Sequence, residues 1–212
     1  MAEEMGLRER KKQQTASRIL RTAIALFVER GFDAVSVQEI ADAAEVSKMT
    51  VFNYFGSKED LIFAPVEEHF GDAARAVRDR RPGDSAVEAV RRQFLEMVEN
   101  RDPSIGLHAD PVSHQLRRLI LETPALTERV FLAMQKGTRE MAALLAEETG
   151  DLMLATIAAA MLSNARNALI EEHQRRLAEG EDIDIIAADA PERACAAFGL
   201  VEKGLRGYAV KE

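Results

Sequence analysis

The 212-residue sequence predicts an all-α protein. Three observations carry that prediction. Apolar residues recur every three or four positions, as in Ile19, Ala23, Leu26 and Phe27. Helix-start signals stand ahead of such runs: Ser36 with Glu39, and Ser85 with Glu88, have the spacing of capping boxes. No strand-like alternation competes with them.

The elements follow in order. A first helix is expected over about Lys12 to Arg30, stopped by Gly31. Ser36 opens a short second helix in which Val37, Ile40, Ala41 and Ala44 share a face. The two alanines let a neighbouring helix cross closely. Ser47 is placed to cap a third helix, with Val51 and Phe55 inward and Gly56 as its stop. Ser57 opens the next helix, with Asp60 in the box position. This fourth helix is expected to run as one piece from near Lys58 to Arg81, through Phe63, Val66, Phe70, Ala74 and Val77, with Pro65 a candidate kink. Pro82-Gly83 ends it. Further helices are expected from Ser85 through Val98, from about Val112 to Glu122, from Pro124 to Gly150, and from Leu152 to Leu177. Residues 101–111 and 181–190 read as loops, and Pro191 to about Leu205 as the final helix.

The stretch from Val35 to Asp60 is the most informative. Two short helices joined by a tight turn would bury Val46, Val51 and Phe55 while presenting Lys48, Thr50, Asn53 and Tyr54. A helix so presented can lie in the major groove of DNA. The net charge of −8 argues the other way until its distribution is read. Residues 1–64 hold nine lysines and arginines against ten acids, and the remainder nineteen against twenty-six. The acidity therefore lies in the C-terminal part. Arg8, Arg10, Lys11, Lys12, Arg18 and Arg21 cluster just ahead of the motif, against Glu9 alone, and favour a phosphate-binding or minor-groove arm.

These residues resemble the helix-turn-helix of the TetR family of transcriptional repressors. The likeness rests on Ser36-Val-Gln-Glu-Ile-Ala, Val46-Ser-Lys-Met-Thr-Val-Phe-Asn-Tyr-Phe and Ser57-Lys-Glu-Asp-Leu, with Arg18 to Phe32 matching the family's first helix. It covers about the first 62 residues. Two departures stand out. Glu45 occupies a turn position where the family usually has glycine, so backbone strain is expected there. Phe52 replaces a tyrosine that often touches a phosphate, and is expected to meet a thymine methyl or sugar edge instead. The resemblance implies a DNA-binding set of Ser36, Gln38, Lys48, Met49, Thr50, Phe52, Asn53, Tyr54 and Lys58. Lys48 and Lys58 would neutralise phosphates. Ser36, Thr50 and Tyr54 would bond phosphates or base edges, and Gln38, Met49 and Asn53 would read sequence.

The C-terminal part offers less. Leu152 to Leu169 is apolar nearly all round, so it must be covered on more than one side. Its alanines make it thin. With the last helix, which carries Ala194, Ala197, Phe198, Leu200 and Val201, it could build a four-helix bundle across two subunits. The family resemblance implies the same homodimer. Phe94, Met97, Met134 and Met161 are candidates to line a ligand pocket, with Asn164 at its polar end. Asn164, Arg166 and Asn167 interrupt the apolar helix and could equally bind a ligand or bond across a dimer. Arg117 to Leu126, together with Thr50 to Phe55, is similar to regulators sensing acyl-coenzyme A-type ligands, including mycofactocin-type regulators. That likeness makes Arg117 and Arg118 candidates to meet phosphates.

Catalysis finds no support. None of His69, His108, His114 and His173 lies in a His-Glu-x-x-His frame, and neither a Gly-x-Ser-x-Gly elbow nor a phosphate loop occurs. His69 and His173 follow glutamate pairs and are expected at the surface. The single cysteine, Cys195, excludes an internal disulfide and is expected to be buried. The apolar run from Leu152 to Ser163 is too short to span a bilayer, and the polar N-terminus lacks a signal-peptide pattern. The sequence thus predicts a cytoplasmic, non-enzymatic, ligand-responsive repressor without cofactor or metal. Residues 1–62 would be the helix-turn-helix domain and 63–212 the ligand-binding and dimerisation domain. Its partners would be a palindromic operator in double-stranded DNA, an apolar or amphipathic inducer such as an acyl-coenzyme A, and a second copy of the chain, with no membrane. A constitutive DNA-binding protein is the competing reading, and a helical enzyme a remote one.

Overall fold

A computed structural model describes residues 6–108 and 111–205. Among them stand ten α-helices and no strand: α1 (Leu7–Arg30), α2 (Val37–Ala43), α3 (Lys48–Phe55), α4 (Asp60–Glu67), α5 (Asp72–Arg78), α6 (Ala86–Glu99), α7 (Pro111–Glu122), α8 (Pro124–Thr149), α9 (Leu152–Ala178) and α10 (Ile183–Leu205). The all-α expectation holds. Contacts divide the chain into two compact units, Met1–Glu67 with Asp110–Arg129, and Glu68–Ala109 with Val130–Glu212.

The first unit is built on α1. Ile19, Ala23, Ile24 and Phe27 bury its inner stripe, together with Ile40, Ala41, Val51, Leu61, Ile62 and Phe63 from the three short helices. An isolated helix of eight residues is unstable in water, so α2, α3 and α4 owe their existence to this packing and to their caps. α7 packs on α1 in the same unit.

The second unit wraps α6, α9 and α10 around a core of Val90, Phe94, Leu145, Ala158, Ala159, Leu162, Ile186 and Phe198. Phe94 meets Phe198 edge-on at 5.9 Å between ring centroids. The capping box at the start of α6 is formed: Glu88 N–H donates to the Ser85 hydroxyl, and Ser85 N–H to the Glu88 carboxylate at 2.7 Å. Buried Arg80 donates to the Val77 carbonyl at 2.6 Å and pairs with Glu148, which ties the end of α5 to α8.

Several expectations are corrected. α1 begins at Leu7, because nothing from Leu7 to Gln14 breaks a helix and Arg10 N–H already bonds the Gly6 carbonyl at 3.1 Å. The basic cluster therefore rides on the first turns of a helix, not on an extended arm. The Arg8 side chain lies outside the described residues. The single long fourth helix is broken: α4 ends at Glu67, a 3-10 turn spans Glu68–Gly71, and α5 follows. The break lies just past Pro65, and the side chains of Pro65 and Val66 are outside the described residues.

The expected loop at 181–190 is mostly helix. Asp182 accepts the Asp184 N–H at 2.7 Å, and Ile186 and Ala190 are fully buried, so apolar burial carries α10 straight through Pro191. Arg176 fixes this start by donating to both Glu181 and Asp189, at 2.7 Å each. His173 is fully buried, against expectation, with Nδ1 2.9 Å from the Ile105 carbonyl. His69 is half-buried, and Cys195 is exposed. Finally, α9 is long and apolar enough by composition to cross a membrane, with a mean hydropathy of 1.2, because its apolar character continues past Ser163. Ala155, Ala158, Leu162 and Leu169 are instead buried in the core of the second unit.

The 3-10 turn has a steric partner. A Cβ at Gly137, in the middle of α8, would stand 2.1 Å from the Phe70 carbonyl oxygen. Only glycine fits this approach. Helix propensity alone favours alanine over glycine at such a position by about 1 kcal/mol. The overlap with rigid backbone costs about 1–3 kcal/mol and should win. Gly137→Ala is therefore expected to lower the urea unfolding midpoint, and a raised midpoint would show that the turn yields freely.

Candidate nucleic-acid interface

The interface is assembled from local capping. Ser36 accepts the Glu39 N–H and donates its hydroxyl to the Glu39 carboxylate at 2.8 Å. Ser36 N–H also donates to that carboxylate at 2.8 Å, and Arg30 reaches it at 2.7 Å. These bonds, led by the backbone N–H, hold the Glu39 pKa down at about 2. The start of α2 is thereby pinned to the end of α1.

The turn between α2 and α3 is tight. Val46 N–H bonds the Ala41 carbonyl at 2.9 Å. Glu45 takes φ +53°, a left-handed conformation that L side chains rarely adopt. The strain expected from the missing glycine is present. Ser47 then caps α3, accepting the Thr50 N–H at 3.0 Å, and its hydroxyl lies 2.8 Å from that of Thr50.

One side of α3, which packs on α2, is buried at Val51, while Val46 and Phe55 are half-buried. The opposite side presents Lys48, Met49, Phe52 and Asn53. These four fall at i, i+1, i+4 and i+5, a single helical face. Met49 is 67% exposed, and Phe52 39% exposed with the Lys48 ammonium 5.9 Å from its ring centre. Phe52 is thus an apolar surface beside a cation. Thr50 and Tyr54 flank the face, half-buried.

The remaining predicted residues are engaged internally to different degrees. Gln38 is exposed on α2, with its amide donating to Asp42 at 2.8 Å. The Ser36 hydroxyl is committed to its box. Lys58 is half-buried; its ammonium donates to the Phe32 and Val35 carbonyls at 2.9 and 3.2 Å and sits 4.2 Å from the Phe32 ring centre. Two of its three donors therefore fasten the loop after α1. Sequence reasoning missed that role, and also missed Arg129, which packs over Phe63 and bonds Asp60 from the start of α8. A contact between residues so far apart in the chain leaves no local signal.

The predicted ligand-pocket residues all lie in the second unit. Phe94 and Met97 are buried in the core of the second unit, and Met161 packs against it. Met134 is half-buried. Asn164 is exposed and shares a helical face with Met153, Ile157 and Ala168. Arg118 lies in the first unit, 3.4 Å from Glu122, where it lines an open groove of about 420 Å³ with Phe27, Phe32 and Leu119. Among the described residues there is no group of three or more His, Cys, Asp or Glu able to hold a metal ion.

This arrangement, a capped and exposed second helix held across a tight turn, defines a helix-turn-helix protein. Residues 19–64 match the model of the bacterial regulatory proteins of the tetR family. The chain is 30% identical over 202 residues to the protein of Mycobacterium tuberculosis that carries the name mycofactocin biosynthesis transcriptional regulator MftR, covering 92% of this chain and 93% of that one. It is 28% identical over 147 residues to the HTH-type transcriptional regulator TcmR of Streptomyces glaucescens, over 68% of this chain but only 65% of that relative's length. The fold matches that of SmeT in its triclosan complex with a TM-score of 0.58, at 21% identity, over 90% and 91% of the two chains. The chain belongs to the tetR family of bacterial regulatory proteins.

The strained turn gives a test that separates charge from conformation. Glu45→Gly and Glu45→Ala both remove the carboxylate, but only glycine accepts φ +53° without cost. The glycine variant should be more stable than the alanine variant by about 1 kcal/mol in urea unfolding. Equal stabilities would show that the turn relaxes without strain.

Proposed function

We propose that this protein is a ligand-responsive transcriptional repressor that binds a palindromic operator as a homodimer and leaves it when an apolar or amphipathic small molecule binds. Residues 1–62 form the DNA-binding domain and 63–212 the ligand-binding and dimerisation domain, with α7 packed on α1. The protein acts in the cytoplasm and catalyses no reaction. The observation that carries the reading is the exposed face of α3, where Lys48, Met49, Phe52 and Asn53 stand together opposite buried Val51. Lys48 would neutralise a phosphate, Asn53 is suited to the adenine edge, and Met49 and Phe52 to thymine methyls. Family membership and the names of the relatives support transcriptional control.

The dimer reading is supported by surface apolarity. Leu152, Met153 and Ile157 on α9, and Leu200 on α10, are large side chains about half or more exposed in the single chain. Large apolar side chains exposed together on these two helices call for a partner. A two-fold interface there would place two recognition helices on one duplex, whose half-sites lie roughly 34–36 Å apart.

Binding is tested by fluorescence anisotropy with the DNA upstream of the protein's own gene. Affinity should fall linearly on a log–log salt plot, by about 0.9 per phosphate neutralised. Lys48→Ala should weaken all sequences alike and lower the slope by about 1. Asn53→Ala should cost about 1–3 kcal/mol on the operator and much less on unrelated DNA. Salt-independent binding, unchanged by both substitutions, would remove α3 from the interface. Assembly is tested separately by sedimentation. The unmodified protein should be a dimer at micromolar concentration, and Ile157→Glu a folded monomer, because a buried unpaired carboxylate is costly. A variant as dimeric as the unmodified protein would place the interface elsewhere.

A further inference from the structure

The second unit contains a cation that its own structure leaves short of partners. Arg166 lies on the inner side of α9, 8% exposed, with Leu162 and Leu169 buried one turn to either side. Its Nε and Nη2 atoms are buried and have no hydrogen-bond partner. The nearest carboxylate, Asp72, lies 3.9 Å away, which is an ion-pair distance but not a hydrogen bond. Asp72 is moreover already held by His69 Nδ1 at 3.0 Å and by Arg75. Asp102 also acts on Arg166 electrostatically, and its Oδ1 accepts the Ser104 N–H and hydroxyl at 2.8 and 2.6 Å. Burial pulls the Arg166 pKa below the ordinary arginine value, yet a guanidinium remains charged at any physiological pH. Two buried, charged guanidinium nitrogens without acceptors are costly, and a protein keeps such groups when something else satisfies them.

We infer that Arg166 is the anchor of a ligand site in the second unit, and that its ligand is a carboxylate carrying an apolar body. The guanidinium edge formed by Nε and Nη2 matches the two oxygens of a carboxylate in a paired, fork-to-fork arrangement. Local charge selects the kind of anion. Arg166 and Arg75 are opposed by Asp72 and Asp102, and His69 is held toward its charged form by Asp72, so the cluster balances close to neutrality. One added negative charge is tolerated there, while a phosphate dianion is disfavoured. Leu162 and Leu169, buried one turn to either side, make the neighbourhood of the guanidinium apolar. The other buried unpaired side-chain atoms of this unit point to no second anion partner. Gln93 Oε1 and Gln174 Oε1 are acceptors, and so is His173 Nε2, since Nδ1 must carry the proton that the Ile105 carbonyl accepts. The site deepens the ligand-responsive reading by naming the ligand class, and it rests on that reading only for its regulatory meaning.

The test uses the full chain without DNA and a matched pair of probes, octanoate and octan-1-ol, which share a tail and differ in the head. Calorimetric titration should show octanoate binding at least tenfold more tightly than octan-1-ol. Arg166→Met should abolish that preference and leave octan-1-ol unaffected. It should also raise the melting temperature of the ligand-free protein, because an under-satisfied buried charge is replaced by an apolar chain of similar length. Asp72→Asn, which removes the competing carboxylate, should tighten octanoate binding and serves if Arg166→Met does not fold. Absence of head-group preference in the unmodified protein overturns the proposal. So does a lower ligand-free melting temperature in folded Arg166→Met, which would make Arg166 a structural ion-pair partner of Asp72. Adding operator DNA separates the two readings: octanoate bound through Arg166 without operator release leaves the site standing and removes its regulatory role.

Discussion

The DNA-binding face depends on one packing contact, that of α3, with its buried Val51, on α2. An eight-residue helix has no stability of its own in water. Burying Val51 contributes roughly 1.5–3 kcal/mol, and the Ser47 cap about 1 kcal/mol more. Together those two contributions exceed the cost of about 1 kcal/mol for holding the turn, where Glu45 is forced to positive φ. The contact also fixes rotation about the helix axis. Once Val51 points inward, Lys48, Met49, Phe52 and Asn53 must point outward. Orientation of the recognition surface is thus a consequence of core packing, not of any property of the surface residues themselves.

The second unit solves a different problem, the accommodation of charge within an apolar bundle. Arg80 and Arg176 are satisfied: each spreads its fork over several acceptors, and each joins segments distant in space or sequence. Arg176 in particular sets where α10 begins. His173 is buried in its neutral form, since desolvation lowers its pKa and the Ile105 carbonyl orients its ring. Arg166 departs from this pattern, with two donors unmatched. The contrast within one unit is what gives that residue its meaning. The same helices satisfy arginines elsewhere, so the shortfall is local to one position.

The capping boxes at Ser36 and Ser85, the cap at Ser47, the positive-φ stop at Gly56 and the strained turn at Glu45 are all legible in the sequence. Each is decided within four residues by hydrogen-bond geometry or steric allowance, so local spacing is sufficient evidence. The exposed face of α3 is legible for the same reason, because helical periodicity sorts residues into inner and outer sets. Elements whose limits depend on distant partners are not. The acidic stretch at 181–190 reads as a loop because its charges are visible in the sequence and its pairing with Arg176 is not. The fourth helix reads as continuous because Gly137, which meets the backbone at Phe70, lies far along the chain.

The sequence by itself determined the helical class, the helix-turn-helix and the face that motif presents, since those follow from periodicity, caps and residue size over short spans. Tertiary structure alone decided which polar groups are buried and whether they are satisfied. Lys58 reads from sequence as a free cation, yet Phe32 and Val35 accept from it; His173 reads as a surface residue, yet it lies buried against Ile105. Arg166 is one of three polar residues on an apolar helix, with nothing local to separate it from Asn164. The fold exposes Asn164 and buries Arg166. The physical reason is that desolvation and hydrogen-bond satisfaction are properties of a residue's full surroundings, and most of those surroundings arrive from elsewhere in the chain.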